Sequence, residues 1–238
     1  MKRDKLNHII VGCNGEVGSS LTKFLCKKTN VYGIEKNTEF GPYPDKFDVM
    51  HITISYKPHY FEYCIKKYQK RFKPALTIIH STVPVGVCDS LQVVHSPIRG
   101  IHPKLHLGIK HFVKYFGGKN AQKAADLFKP YGVKVWCVER AKDTEALKLW
   151  DTAQFGWQII LMKEIHAWCK KHKVDFDLIY RIANQHYNAG YRRLGRPEVV
   201  RPYLFYKKGK IGGHCVMSNL ELLPCFVSSV IKHRNKKI

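Results

Sequence analysis

Val11-Gly-Cys-Asn-Gly-Glu-Val-Gly18 is the stretch that decides the fold. Its glycines fall at 12, 15 and 18, directly after the apolar run His8-Ile-Ile-Val11. A helical pattern follows from Glu16 to Lys28, with Val17, Leu21, Phe24 and Leu25 on one face. Strand, glycine turn and helix in that order form a dinucleotide-binding fingerprint. Glycine permits the tight turn, close approach to a pyrophosphate and close helix packing, and the helix N-terminus adds amides and a positive dipole end. The spacing is GxxGxxG, a variant of GxGxxG. Gly12, Asn14, Gly15, Glu16, Val17 and Gly18 are therefore cofactor-binding candidates. Val31-Tyr-Gly-Ile-Glu35 reads as the second strand and places Glu35 at its end. The fingerprint expects a carboxylate about 20 residues on, where it accepts from both ribose hydroxyls and favours NAD over NADP. Lys36 beside it weakens that preference.

Outward from the turn, Asp48–Ser55, Ala75–His80 and Gln92–His95 read as further strands, and His59–Phe72 as a helix with Phe61, Cys64, Ile65 and Tyr68 on one face. Strands separated by helices or turns predict an α/β fold, a doubly wound, mostly parallel Rossmann sheet. Ser55 stands at a strand end and is a further cofactor-binding candidate. A Pro/His/Gly-rich loop over 96–108 precedes a strand at His111–Phe116, a helix at Asn120–Tyr131 and a strand at Val133–Val138. Asp143–His172 reads as one long helix, apolar most of the way round through Leu147, Trp150, Phe155, Ile159, Ile160, Met162 and Ile165, and so buried on several sides. Helices follow at Asp175–Tyr187 and Leu220–Lys232. The expected division is 1–140, an NAD-binding domain, and 141–238, an all-helical domain.

Composition bounds the function. With 238 residues and 45% hydrophobic content the chain can bury a proper core. No apolar run approaches the ~18 residues that span a bilayer, and Met1-Lys-Arg-Asp-Lys has no signal-peptide character. The eight cysteines show no CxxC or Cys/His metal spacing, so no metal is expected, and reduced thiols point to the cytoplasm. The formal charge of +23 attracts nucleic acid or anionic small molecules. The lysines are spread along the chain without a dense basic arm, so nucleic acid is not the favoured partner.

The motifs have a collinear order that resembles the nucleotide-sugar dehydrogenases, the NAD-dependent UDP-glucose and UDP-mannuronate type. His80-Ser-Thr-Val-Pro-Val-Gly86 is similar to the family's STVPPGT turn, whose threonine, here Thr82, sits near nicotinamide and substrate; the resemblance implies that Ser81 and Thr82 complete the cofactor-binding set. Val94-His-Ser-Pro-Ile-Arg99 is similar to its SPER or NPEF segment. Glu145-Ala-Leu-Lys-Leu149 resembles its ELVKL helix, and Leu161-Met-Lys-Glu164 loosely its FxNE. Lys210-Ile-Gly-Gly-His-Cys215 resembles GIGGHC, with lysine in place of the first glycine. The resemblance implies that Lys148 hydrogen-bonds the reacting oxygen and stabilises negative charge. It implies that Cys215 attacks an aldehyde intermediate as thiolate, with His214 and Lys210 beside it.

Three positions depart from that pattern. Thr152 replaces an asparagine, Asn219 an aspartate, and Ile98 the glutamate of SPE. The two lost carboxylates serve thioester hydrolysis and acid–base support, so the resemblance implies chemistry limited to one two-electron step. His102 falls where the family often has another glutamate and could supply some base function. The family also continues into another Rossmann-like domain that holds the UDP end. Little chain follows the cysteine motif here, so that half would come from another chain, or the substrate is smaller, as in 3-hydroxyacid dehydrogenases with the same two-domain core. The expected partners are a nucleotide-sugar or other anionic substrate and a second copy paired along the long helix. Two other readings stand beside this one: a non-catalytic NAD- or nucleotide-binding module, and a basic nucleic-acid-associated protein.

Overall fold

The computed structural model describes residues 5–36, 38–213 and 215–238. The chain divides into two compact units, Met1–Lys148 and Leu149–Ile238.

The first unit is a Rossmann-type sheet with helices. β1 (Asn7–Val11), α1 (Glu16–Leu25), β2 (Asn30–Glu35), β3 (Thr38–Glu39), β4 (Val49–Ile52), α2 (Tyr60–Phe72), β5 (Leu76–Ile79), α3 (Val87–Ser90) and β6 (Val94–His95) come first. Then follow α4 (Leu105–His111), β7 (Lys114–Gly117), α5 (Ala121–Asp126), a 3-10 turn at Lys129–Tyr131, β8 (Val135–Val138) and the start of α6 (Ala141–His172). The strand order is β3-β2-β1-β4-β5-β6-β7-β8. β1 pairs in parallel with both β2 and β4, and β5 and β6 extend the parallel run. β3 is antiparallel to β2, and the parallel pair β7–β8 joins β6 antiparallel.

Both faces of the sheet are covered, which is why its strands read as near-continuous apolar runs. Ile10, Val49, Ile78 and Phe116 point to one side, against Leu21, Phe24 and Phe128. Ile9, Met50, Ile52 and Ile79 point to the other, against Phe61 and Ile65 of α2. Each buried aliphatic or aromatic side chain of this kind contributes about 1.5–3 kcal/mol relative to exposure.

The second unit contains the rest of α6, a π-helical turn at Asp177–Ile182, α7 (Ala183–Arg193), α8 (Cys215–Glu221) and α9 (Phe226–Lys237). Its core is Ala153, Ile160, Ile211, Val216, Leu220 and Ile231. Among the described residues no helix is long and apolar enough to cross a membrane.

Several elements differ from the sequence expectation. The segment 96–108 is not all loop, because α4 begins at Leu105. Its Gly108 looked like loop material but is there for close packing: a Cβ would lie 2.3 Å from the Arg99 carbonyl oxygen. The strand expected from His111 accordingly starts at Lys114. The helix expected over Asn120–Tyr131 stops at Asp126 and gives way to a 3-10 turn with Pro130 in its first positions. The last helix is two, because Pro224 disfavours helical geometry at Leu223 and α9 restarts from an extended Cys225. The helix from Asp175 begins as a π turn and runs on to Arg193. β3 and α3 were not anticipated; each is too short to show a period. Finally, α6 is not buried on several sides. Ile160, Met162 and Cys169 are buried, but Trp150, Phe155, Trp157, Leu161 and Trp168 are exposed.

Candidate functional site

The chain reverses its order of strand addition at β1, which has β2 on one side and β4 on the other. Ligands of open α/β sheets sit beyond the carboxyl ends of the strands at such a switch point. The glycine turn leaves β1 there. The Gly12 amide donates to the Ile34 carbonyl, 2.9 Å, and the Gly15 amide returns to the Gly12 carbonyl, 3.2 Å. Gly18 is required by packing: a Cβ would lie 2.1 Å from the Gly12 carbonyl oxygen and 2.8 Å from Cys13 Cα. The helix therefore lies directly on the turn. Gly15 caps α1 in extended geometry without a side-chain cap, which leaves first-turn amides for a ligand. Val17 is half-buried against the core, while Asn14 and Glu16 are exposed.

Glu35 ends β2 beside this turn. Its Oε2 accepts from the Asn14 amide, 3.2 Å, and its Oε1 from the Lys36 amide, 3.3 Å. The carboxylate is thus held on the glycine turn itself. Its charge, after burial, pushes the Cys13 thiol up. The end of β4 closes the other side: the Thr53 hydroxyl lies 2.8 Å from the Val11 carbonyl oxygen and 3.0 Å from that of Gly12. Thr53 was not among the sequence candidates; its position two residues before Ser55 was the available signal. Ser55 is exposed in the loop after β4. Ser81 is buried and donates to the Ile54 carbonyl, 2.6 Å, tying the loops after β4 and β5 together. Thr82 follows it, half-buried.

The Pro84 turn is fixed from α6. Glu145 is fully buried, and its carboxylate accepts from the amides of Gly86, 2.5 Å, and Cys88, 2.7 Å. Burial pushes Glu145 up while the two amides and the Cys88 thiol pull it down. Asp89 in turn accepts from the first amides of α6, at Ala141 (2.9 Å) and Lys142 (3.2 Å). One helical turn along from Glu145, Lys148 is half-buried and donates from Nζ to the Ile98 carbonyl, 3.0 Å. The Ile98 side chain points the other way, into the core with Val94, Leu105 and Ile109. His95 is buried between the Ser81 carbonyl and the Thr144 hydroxyl, and burial holds it at about 3. His102 is brought to α1, where its Nδ1 meets the Glu16 carboxylate.

In the second unit, Cys215 is the exposed first residue of α8. His214 lies outside the described residues. Lys210 is exposed, and its neighbour Ile211 is buried, held through its amide by Asn235 Oδ1 at 2.6 Å. The preceding loop is anchored by Lys163, whose Nζ donates to the carbonyls of Lys207, 2.6 Å, and Gly209, 2.5 Å. Asn219 and Thr152, two of the three departures from the family pattern, meet each other: Asn219 Nδ2 donates to the Thr152 hydroxyl at 3.0 Å.

No protein-family model matches the chain, and no curated protein sequence does. Solved structures do match. The UDP-D-ManNAc dehydrogenase of Pyrococcus horikoshii superposes with a TM-score of 0.79 at 16% identity, over 98% of this chain and 68% of that one. The Mycobacterium tuberculosis 3-hydroxyisobutyrate dehydrogenase gives 0.67 at 13% identity, over 98% of this chain and 93% of that one. Psf3, solved in complex with NADP+ and 2-OPP, gives 0.56 at 12% identity, over 97% and 93%. The fold expected from the sequence is therefore shared with dehydrogenases of both the nucleotide-sugar and the 3-hydroxyacid kind.

Proposed function

We propose that the chain is an NAD-dependent dehydrogenase of the nucleotide-sugar type, oxidising an alcohol of an anionic small molecule. The observation that carries the reading is the hold of Glu35 on the Asn14 amide at the switch point of the sheet. A carboxylate there suits a ribose diol, and the α1 amides suit a pyrophosphate. Gly12, Asn14, Gly15, Glu16, Val17, Gly18, Glu35, Lys36, Ser55, Ser81 and Thr82 would hold the dinucleotide. When bound, it supplies hydride transfer at its nicotinamide. Lys148 would stabilise the developing alkoxide with its ammonium group, and Cys215 is the proposed nucleophile. His102, engaged with Glu16, would serve the cofactor helix.

The proposed limit to one two-electron step rests on two side chains. Ile98 is buried in the core, and Asn219 is engaged by Thr152; neither accepts a proton at neutral pH. Loss of a general base costs ~10²–10⁴-fold, so hydrolysis of any thioester would lag behind hydride transfer. Appearance of NADH absorbance with a panel of UDP-sugars and short 3-hydroxyacids tests the reading. Binding of NAD with turnover of none of them would favour the non-catalytic module instead. A salt-sensitive mobility shift with DNA would favour the nucleic-acid reading, whose support is the net charge alone. We infer a homodimer through α6, supported by the exposed Trp150, Phe155, Trp157, Leu161 and Trp168; sedimentation velocity of the wild type against Trp157→Lys checks it.

A further inference from the structure

The core of the first unit contains a polar row that the dehydrogenase reading leaves unused. His8 in β1, His51 in β4 and His80 just after β5 are all buried. His8 Nδ1 lies 2.8 Å from His51 Nε2, and His51 Nδ1 lies 2.9 Å from His80 Nε2. His8 is in register with Val49 and His51 with Ile78, so each histidine stands two residues nearer the carboxyl edge than the one before. The row therefore crosses the sheet diagonally, with Phe128 edge-on to His51 and His80. At its far end is Lys114 of β7, also buried, with Nζ 3.5 Å from His80 Nδ1. Lys114 donates to the carbonyls of Ser96, 3.1 Å, and Pro97, 3.4 Å.

The polarity of the row follows from its last acceptor. The Ser96 carbonyl, 2.7 Å from His80 Nδ1, only accepts, so that nitrogen bears the proton. Burial holds all three imidazoles neutral. His80 Nε2 is then a bare acceptor, His51 Nδ1 its donor, His51 Nε2 bare, and His8 Nδ1 the donor to it. One lone pair is left over, on His8 Nε2, which is buried and has no partner among the described residues. A row with every proton on Nδ1 passes protons in one direction only, from His8 toward Lys114.

We propose that His8, His51 and His80 form a one-proton relay that carries a proton from the buried His8 Nε2, at the Asp48 end of the row, to the Lys114 amine. When local opening of β1 admits a hydronium ion to the buried His8 Nε2, its proton bonds there and leaves water, and the His8 Nδ1 proton moves to His51 Nε2. The His51 Nδ1 proton moves to His80 Nε2, and the His80 Nδ1 proton to Lys114 Nζ. Four N–H bonds form as three N–H bonds and one O–H bond of the hydronium break; the imidazoles end neutral with their tautomers reversed, Lys114 ends as ammonium, and the reverse passage resets the row. The groups that bear on it are charged at both ends. The half-buried Asp48 carboxylate raises the proton affinity of His8. Burial, followed by the charges of Lys148 and Arg99, holds Lys114 at about 7, so the amine is available near neutral pH. Lys114 and Lys148 occupy consecutive carbonyls, Ser96 and Pro97 for one and Ile98 for the other. Loading Lys114 thus sets the charge beside Lys148; the use of that charge in hydride transfer rests on the dehydrogenase reading, whereas the relay does not.

Nitrogen-15 NMR on ligand-free protein labelled at histidine and lysine tests it. At pH 8 all three rings should carry their proton on Nδ1. At pH 7, exchange of the Lys114 Nζ protons with water should slow by about tenfold or more in His51→Phe, since opening around Lys114 itself is then the one route left. His8→Phe, which removes the entry alone, should slow it likewise and serves if His51→Phe does not fold. A ring protonated on Nε2 at pH 8, or an unchanged exchange rate in a folded variant, overturns the relay. NAD titration of the same samples is read separately: failure of the wild type to bind NAD would sink the dehydrogenase reading and leave the relay standing.

Discussion

Asn219 donates from its side-chain amide to the hydroxyl of Thr152, and both side chains are buried. Thr152 comes four residues after Lys148, and Asn219 four after Cys215. The two departures from the dehydrogenase pattern are therefore hydrogen-bond partners. Asn219→Ala should lower stability by about 0.5–1.5 kcal/mol, the net contribution of one hydrogen bond. The pairing with Thr152→Val in a double-mutant cycle, followed by urea unfolding, should recover part of that loss. Strictly additive losses would show that the bond contributes nothing.

Glu35 should set cofactor choice. Its carboxylate would repel a 2′-phosphate and accept from the ribose hydroxyls. Isothermal titration should give tighter binding of NAD than NADP to the wild type and a narrowed gap in Glu35→Ala. The substitution also frees the Asn14 and Lys36 amides. Equal NAD affinity in the two proteins would remove Glu35 from the site.

Glu145 should prove structural before it proves chemical. Its carboxylate is the partner of two amides in the turn that carries Thr82 and Pro84. Glu145→Ala leaves both without their acceptor, at about 1–3 kcal/mol each. A melting temperature within a degree of wild type would contradict this.

Stability should fall on mild acidification. Burial holds His8 at about 4 and His95 at about 3, and pushes His51 and His80 well below the 6.5 of an exposed imidazole. Between pH 6.5 and 4 the unfolded chain takes up protons at these positions and the folded chain does not. Their contribution is fully present above pH 6.5 and drains away below it, by about 1.4 kcal/mol per pH unit for each imidazole. Urea titrations at pH 4.5, 5.5 and 6.5 should show this slope, flattened by one imidazole's share in His95→Phe. Stability independent of pH over that range would mean that the rings are protonated in the fold.

Three thiols, those of Cys26, Cys215 and Cys225, should react first with a brief pulse of iodoacetamide, as read by mass spectrometry; Cys26 is exposed. Cys215 is exposed, and a hydrogen bond with Ser228 draws the Cys225 thiol below its usual value. Cys64, Cys88 and Cys169 are buried, and burial with the Glu145 charge pushes Cys88 up. Labelling of Cys215 only after denaturation would end its candidacy as nucleophile.

The sequence by itself determined the sheet and the glycine turn at the carboxyl end of its first strand. The turn 11–18 is local: its glycines, the apolar run before it and the helical period after it lie within a few residues of one another. Glu35 could be placed because strand lengths fix where a strand ends. Short elements without a period, β3 and α3, were not legible, and Gly108 read as loop because the Arg99 carbonyl that excludes its side chain lies nine residues away. What only the tertiary structure decided is which polar groups meet. Nothing in the spacing of His8, His51, His80 and Lys114 shows that they share one hydrogen-bonded row, because strand register, not sequence distance, brings them together. The same holds for Glu145 with the Gly86 and Cys88 amides and for Asn219 with Thr152. Buried polar groups must find partners wherever packing brings them, and that search is completed only in the folded chain.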